Sequence, residues 1–174
     1  GTVCESQASP LFFELSNNRF GSPKPLQLTS QAEGIRYDIL GENATPAAHT
    51  KKQISWYHQS NYYLLTLPNN GQVNGIDELF GDNTAGPDAK NKFAPNGYLS
   101  LAKYDANKDG QITKDDKVFS QLRLWQDRNG DGVADKDELF SLEQLEVLSI
   151  NLAYDPKYRE VDAHGNEVRM KSSF

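Results

Sequence analysis

Two twelve-residue stretches, 105–116 and 127–138, place oxygen donors at every position that a calcium loop uses. Such a loop takes ligands from its first, third, fifth, seventh, ninth and twelfth residues, with glycine sixth because the chain turns sharply there. The first stretch supplies Asp105, Asn107, Asp109, the Gln111 carbonyl, Thr113 and Asp116, with Gly110 at the turn. The second supplies Asp127, Asn129, Asp131, the Val133 carbonyl, Asp135 and Glu138, with Gly132 at the turn. Calcium is a hard ion that takes six to eight oxygens, so these donor types suit it and imply two bound Ca2+. Zinc would prefer Cys or His. The three histidines, His49, His58 and His164, have no ligand spacing.

The charge distribution agrees. The chain carries a formal −6, and eleven acids against six bases between residues 105 and 146 account for −5 of it. Such clustering either drives a segment into disorder or awaits a cation. With no basic stripe to neutralise phosphates, nucleic acid is excluded as a partner. The single cysteine, Cys4, precludes an intrachain disulfide. No apolar run reaches the ~20 residues of a membrane span. No signal-peptide pattern is present, and a start at Gly1 suits an excised fragment or a mature chain.

The loops differ in detail. Asp116 is one methylene shorter than Glu138, so the first loop grips less firmly at its last position, while its apolar eighth residue, Ile112, is a larger anchor than Ala134. Their first residues lie only 22 positions apart. The intervening residues 117–126 are too few for two helices and a linker. One short element is therefore expected to serve both loops, burying Val118, Phe119, Leu122 and Trp125. This argues against a sensor pair that opens a Met-rich groove, as does a content of one Met.

Around the loops, residues 1–9 are small and polar and read as a flexible tail, leaving 10–174 as a single module. Within it, 10–75 reads as strand-rich, 76–146 as the EF-hand-type part and 147–174 as C-terminal strands. Short aromatic or β-branched runs at 11–15, 35–40, 54–57 and 62–67, separated by Asn, Gly, Pro and Ser, favour strands. Residues 41–53 read as a loop, and Asn43-Ala44-Thr45 within it matches a glycosylation sequon. A helical period at 76–80 ends at Gly81 as a C-cap. Asn96 can cap a helix running through Tyr98 and Leu101 into the first loop. Ser141 and Gln144 form a capping box. The chain turns extended from Val147, and Glu160-Val161 and 167–170 are set to pair as a hairpin through the turn 162–166. The expected fold is α+β: a strand-rich N-terminal half, short helices around two EF-hand-type loops sharing one connecting element, and a C-terminal hairpin.

The run 122–132 (LRLWQDRNGDG), followed by Glu138-Leu139 and Leu142, together with 77–82 (DELFGD) and 96–98 (NGY), resembles the calcium-binding module of large secreted bacterial RTX-type proteins and adhesins. It is most similar to the self-processing module of iron-regulated RTX proteins, over residues 10–174. The resemblance implies that calcium folds the module and triggers cleavage of an Asp-Pro bond at its N-terminal edge through an aspartyl anhydride, which a lysine of another chain can capture. The matching dipeptide here is Ser9-Pro10, and a serine supplies no attacking carboxylate, so no enzymatic self-processing is expected at this bond. The resemblance also implies that two further calcium loops of relatives, after residue 13 and at 66–77, have lost their ligands here, with Pro68 at a ligand position. The glycine-rich nonapeptide repeats of RTX tails are absent.

The function expected is thus calcium binding that folds and stabilises the domain, in an extracellular or periplasmic setting. A self-processing module that has lost its cleavable bond is the first alternative. A dockerin-like interaction module is the second, opposed by the 22-residue separation and the unlike flanks. The one Asp-Pro pair, Asp155-Pro156, reads as a turn.

Overall fold

A computed structural model describes residues 2–6, 10–15, 25–41, 51–81 and 96–174. Ser9, His49 and the Asn43–Thr45 sequon lie outside them. Eleven strands are present among the described residues: β1 Thr2–Ser6, β2 Leu11–Glu14, β3 Ile35–Tyr37, β4 Lys52–Ile54, β5 Tyr62–Thr66, β6 Gln111–Thr113, β7 Arg123–Trp125, β8 Leu139–Ser141, β9 Ser149–Asn151, β10 Glu160–Val161 and β11 Glu167–Ser173. Seven form one antiparallel sheet in the order β10-β11-β1-β2-β5-β7-β8, while β3–β4 and β6–β9 are separate two-stranded pairs.

This architecture corrects the α+β expectation. The one complete α-helix among the described residues is α1, Gly97–Ala102. Asn96 caps it, its Oδ1 accepting from Leu99 N at 2.9 Å. The period at residues 76–80 yields only a 3-10 turn, Ile76–Glu78, which ends at Leu79 rather than at Gly81. The Ser141–Gln144 box closes in both directions, at 2.7 and 3.1 Å, but on a series of turns and not on a helix. In each case the local hydrogen bonds form as their chemistry dictates. The segments are too short to propagate a helix against neighbouring strands.

The segment Thr2–Ser6, which its composition marks as tail, is a strand. β1 lies between β2 and β11, with Cys4 opposite Phe12 on one side and Lys171 on the other. Pairing of this kind uses main-chain groups, which composition does not report.

The central strands β2, β5 and β7 send buried side chains to both faces of the sheet, sorted by strand alternation. Leu11, Phe13, Leu65 and Leu124 enter one core with Leu101, Ile112, Phe119, Leu142 and Ile150. Phe12, Leu64 and Trp125 enter the other with Leu28, Tyr37, Trp56, Tyr57, Ile76 and Leu79. The first core is built mainly from the C-terminal half and the second mainly from the N-terminal half.

At the end of the chain, β10 pairs with β11. The turn between them is organised by Asp162, whose carboxylate accepts from His164 N and Asn166 N, each at 2.9 Å, and from Leu28 N across 134 residues at 2.9 Å. Burial alone would raise the Asp162 pKa. The donors from Leu28, the Asn166 amide, His164 and Asn166 outweigh it and hold the carboxyl below its ordinary value of 3.8. A depressed folded value means that the charged form stabilises the fold, fully above the unfolded pKa and less as pH falls through the folded one. Replacing Asp162→Ala is expected to cost about 1 kcal/mol in urea denaturation at neutral pH. The gap to the parent then narrows as acid protonates the carboxylate.

Candidate metal centre

The loop residues 105–116 leave α1 and end in β6 and a 3-10 turn, Lys117–Ser120. Gly110, at φ +81°, makes the turn. Asp105 accepts from Asp109 N and Gly110 N at 3.3 and 2.9 Å, and Asp109 accepts from Gln111 N at 2.9 Å. Asn107 accepts from Asp109 N at 3.4 Å, and Thr113 Oγ1 from Asp115 N at 3.2 Å. Asp116, buried, closes the loop by accepting from Ala106 N at 2.9 Å and Thr113 N at 3.0 Å. Carboxylate oxygens of Asp105, Asp109 and Asp116 all come within 4.8 Å of one another. Oxygens bound at about 2.3–2.6 Å to one ion stand at most about 5 Å apart, so these three carboxylates could hold one metal ion.

The loop at 127–138 repeats the pattern nearly bond for bond. Asp127 accepts from Gly130, Asp131 and Gly132 N–H groups at 3.0, 3.3 and 2.8 Å. Asn129 and Asp131 accept from Asp131 N and Val133 N at 3.2 and 2.9 Å. Glu138, buried, accepts from Arg128 N at 3.1 Å and Asp135 N at 3.4 Å, while the Val133 carbonyl accepts from Asp135 N at 3.1 Å. Among the described residues only the first loop draws three carboxylates within the 4.8 Å distance.

What surrounds the loops differs from the expected helix–loop–helix frame. The single connecting element is a 3-10 turn followed by β7, so the second loop is entered from a strand and left through another 3-10 turn, Lys136–Glu138. Val118, Phe119, Leu122 and Trp125 are all buried. Nor do the loops pair with each other. Ile112 of β6 pairs with Ile150 of β9 and sits in the first core, whereas Ala134 packs against the second. Consecutive residues of β7, Leu124 and Trp125, enter those two cores, which is how ten residues can connect the loops without a helix. Unlike flanks, α1 for one loop and β7 for the other, also differ from the repeated loop–helix units of a dockerin-like module.

Asp127 is a buried loop acid whose pKa is raised. Burial pushes its pKa up, the Gly132 N–H and the Trp56 indole N–H pull it down, and Glu138 and Asp131 push it up further, for a net rise. Without a cation its negative charge therefore opposes folding near neutral pH. Three aromatic residues that the sequence does not mark as part of a site surround this end of the loop. The Trp56 indole N–H donates to Asp127 Oδ2 at 2.7 Å, and the Trp125 indole N–H to Glu138 Oε2 at 3.3 Å. Tyr57 Oη donates to the Trp125 carbonyl and accepts from Asp127 N, both at 2.8 Å. Separations of about 70 residues leave no local signal for the Trp56 and Tyr57 contacts.

The turn glycines offer a direct comparison. Gly110 and Gly132 both have positive φ, but a Cβ on Gly110 would meet nothing within 4 Å, while one on Gly132 would lie 2.4 Å from Ile35 Cδ1. Gly110→Ala is expected to cost about 1 kcal/mol through backbone strain alone. Gly132→Ala costs more in the same urea titration, because Ile35 must also give way.

The SPM domain family matches residues 23–174. The chain belongs to this family. A curated relative, the iron-regulated protein FrpA of Neisseria meningitidis serogroup C, is 40% identical over 108 residues, covering 62% of this chain and 9% of FrpA. The match of this SPM chain thus spans under a tenth of the length of that relative. Among its described residues no helix is long and apolar enough to cross a membrane.

Proposed function

We propose that this SPM domain is a calcium-binding module in which residues 105–116 and 127–138 each take one Ca2+, and that the metal completes the fold. The observation that carries this reading is the convergence of Asp105, Asp109 and Asp116 in an oxygen-only donor set. The near-identical hydrogen-bond pattern of the second loop supports a second ion there. In the first loop, Asp105, Asn107, Asp109, Gln111, Thr113 and Asp116 would hold the metal; in the second, Asp127, Asn129, Asp131, Val133, Asp135 and Glu138. Bound calcium would supply positive charge among carboxylates that otherwise repel, so that binding energy becomes folding energy.

We infer dissociation constants on the order of 10⁻⁴ M, toward the range of extracellular modules, because several donors are exposed and Asp116 is short. Such sites fill where calcium is plentiful, which favours an extracellular or periplasmic setting and a secreted RTX-type parent. With Ser9 before Pro10, no carboxylate is present to attack that bond, and calcium leaves the chain intact. Asp155-Pro156 lies exposed in a turn that Asp155 itself organises, accepting from Lys157 N at 2.9 Å.

Isothermal calorimetry tests the assignment. Two ions are expected for the parent, and one each after Asp109→Ala and Asp131→Ala, which alter exposed ligands without touching either core. No heat at millimolar calcium would overturn the proposal.

A further inference from the structure

The two loops are anchored differently. In the first, among the described residues, every hydrogen bond to the terminal carboxylates of Asp105 and Asp116 comes from an N–H of the loop's own backbone: Ala106, Asp109, Gly110 and Thr113. In the second, Asp127 and Glu138 receive the equivalent backbone bonds and also indole N–H donors from the core. Trp56 follows β4 by two residues, is 5% exposed, and reaches Asp127 across 71 positions of sequence. Its neighbour Tyr57, 1% exposed, binds the main chain on both sides of Gln126 through one hydroxyl. Ile35, on β3, lies against Gly132 at the turn.

These contacts share one origin. Trp56, Tyr57 and Ile35 all belong to the N-terminal half and pack in or against the second core, with Trp56 5.6 Å from Trp125 and 5.3 Å from Tyr57 between ring centres. Donors outside a ligand set orient the carboxylates within it, and losing one typically costs about 10–100-fold in metal affinity. A Trp N–H is well suited to such a role, since it donates only and its ring is held by packing.

We propose that Trp56 and Tyr57 are positioning residues for the second loop, so that this loop reaches full calcium affinity only when the segment carrying them is folded against it, whereas calcium binding by the first loop does not depend on these two side chains. The proposal rests on calcium binding by the second loop. It makes the strand-rich half a determinant of metal affinity, and it makes calcium a ligand that holds the two halves together. By linkage, an ion that prefers the docked arrangement stabilises that arrangement to the same degree.

The test isolates each loop in the full-length chain. With the first loop silenced by Asp109→Ala, Trp56→Phe should weaken calcium binding about tenfold or more in calorimetry. With the second loop silenced by Asp131→Ala, the same change should leave binding unaltered. Tyr57→Phe, which removes a single oxygen and keeps the ring, should reproduce the split and serves if Trp56→Phe does not fold. Tryptophan fluorescence should respond to calcium when only the second loop is active. Equal weakening of both loops, or no weakening of the second, overturns the proposal. If the second loop with Trp56 and Tyr57 intact binds no calcium, the assignment of an ion to that loop is overturned, and the positioning role with it.

Discussion

Calcium added to chelator-stripped protein is expected to raise its melting temperature by about 10–20 °C. A ligand at about 100 times its dissociation constant stabilises the state it binds by about 2.7 kcal/mol, and two sites double that. For a chain of this size each kcal/mol shifts melting by about 2–4 °C. With constants on the order of 10⁻⁴ M, about 10 mM calcium meets the condition. Differential scanning calorimetry reads the shift directly, and magnesium at the same concentration should reproduce little of it, since its smaller shell demands stricter octahedral geometry. A melting temperature indifferent to calcium would leave the clustered carboxylates without a partner.

The second large effect comes from one side chain. Trp125 is fully buried, opposite Leu64 in the sheet and packed near Trp56 and Tyr37 at 5.6 and 6.3 Å. Its indole N–H reaches Glu138 and its carbonyl receives Tyr57. Truncation to alanine opens a large cavity, at about 3–5 kcal/mol, and removes the indole donor to Glu138, the last proposed ligand of the second loop. Trp125→Ala should therefore lower the melting temperature by about 10 °C or more and abolish one calcium-binding event. Leu124→Ala, one residue earlier but on the other face, should destabilise by about 2–5 kcal/mol without singling out the second loop. If both variants affected the loops alike, the division of the core by the sheet would have no bearing on metal binding.

Much of the candidate site is legible in the sequence because its signals are local. The alternation of Asp and Asn around Gly110 and Gly132 specifies oxygens and a left-handed turn within twelve residues, and the hydrogen bonds observed are those such loops make. The Asn96 cap and the Ser141–Gln144 box are equally short-range. The frame around the loops is not legible in the same way. Loops of this kind usually sit between helices, and nothing within residues 117–126 distinguishes a short helix from a 3-10 turn followed by a strand. What decides it is tertiary: β7 hydrogen-bonds to β5 and β8, and Leu124 and Trp125 enter opposite cores. The same limit hides Trp56. Its indole is one aromatic among many until the fold carries it 71 residues along the chain to Asp127.

The placement of β1 bears on how the domain can be handled. A chain trimmed to begin at Pro10 would lose an interior strand and leave β2 and β11 each with a bare row of amides and carbonyls. Vacant rows of that kind recruit extended segments from other molecules. Trimmed protein should accordingly self-associate at concentrations where the longer chain stays dispersed.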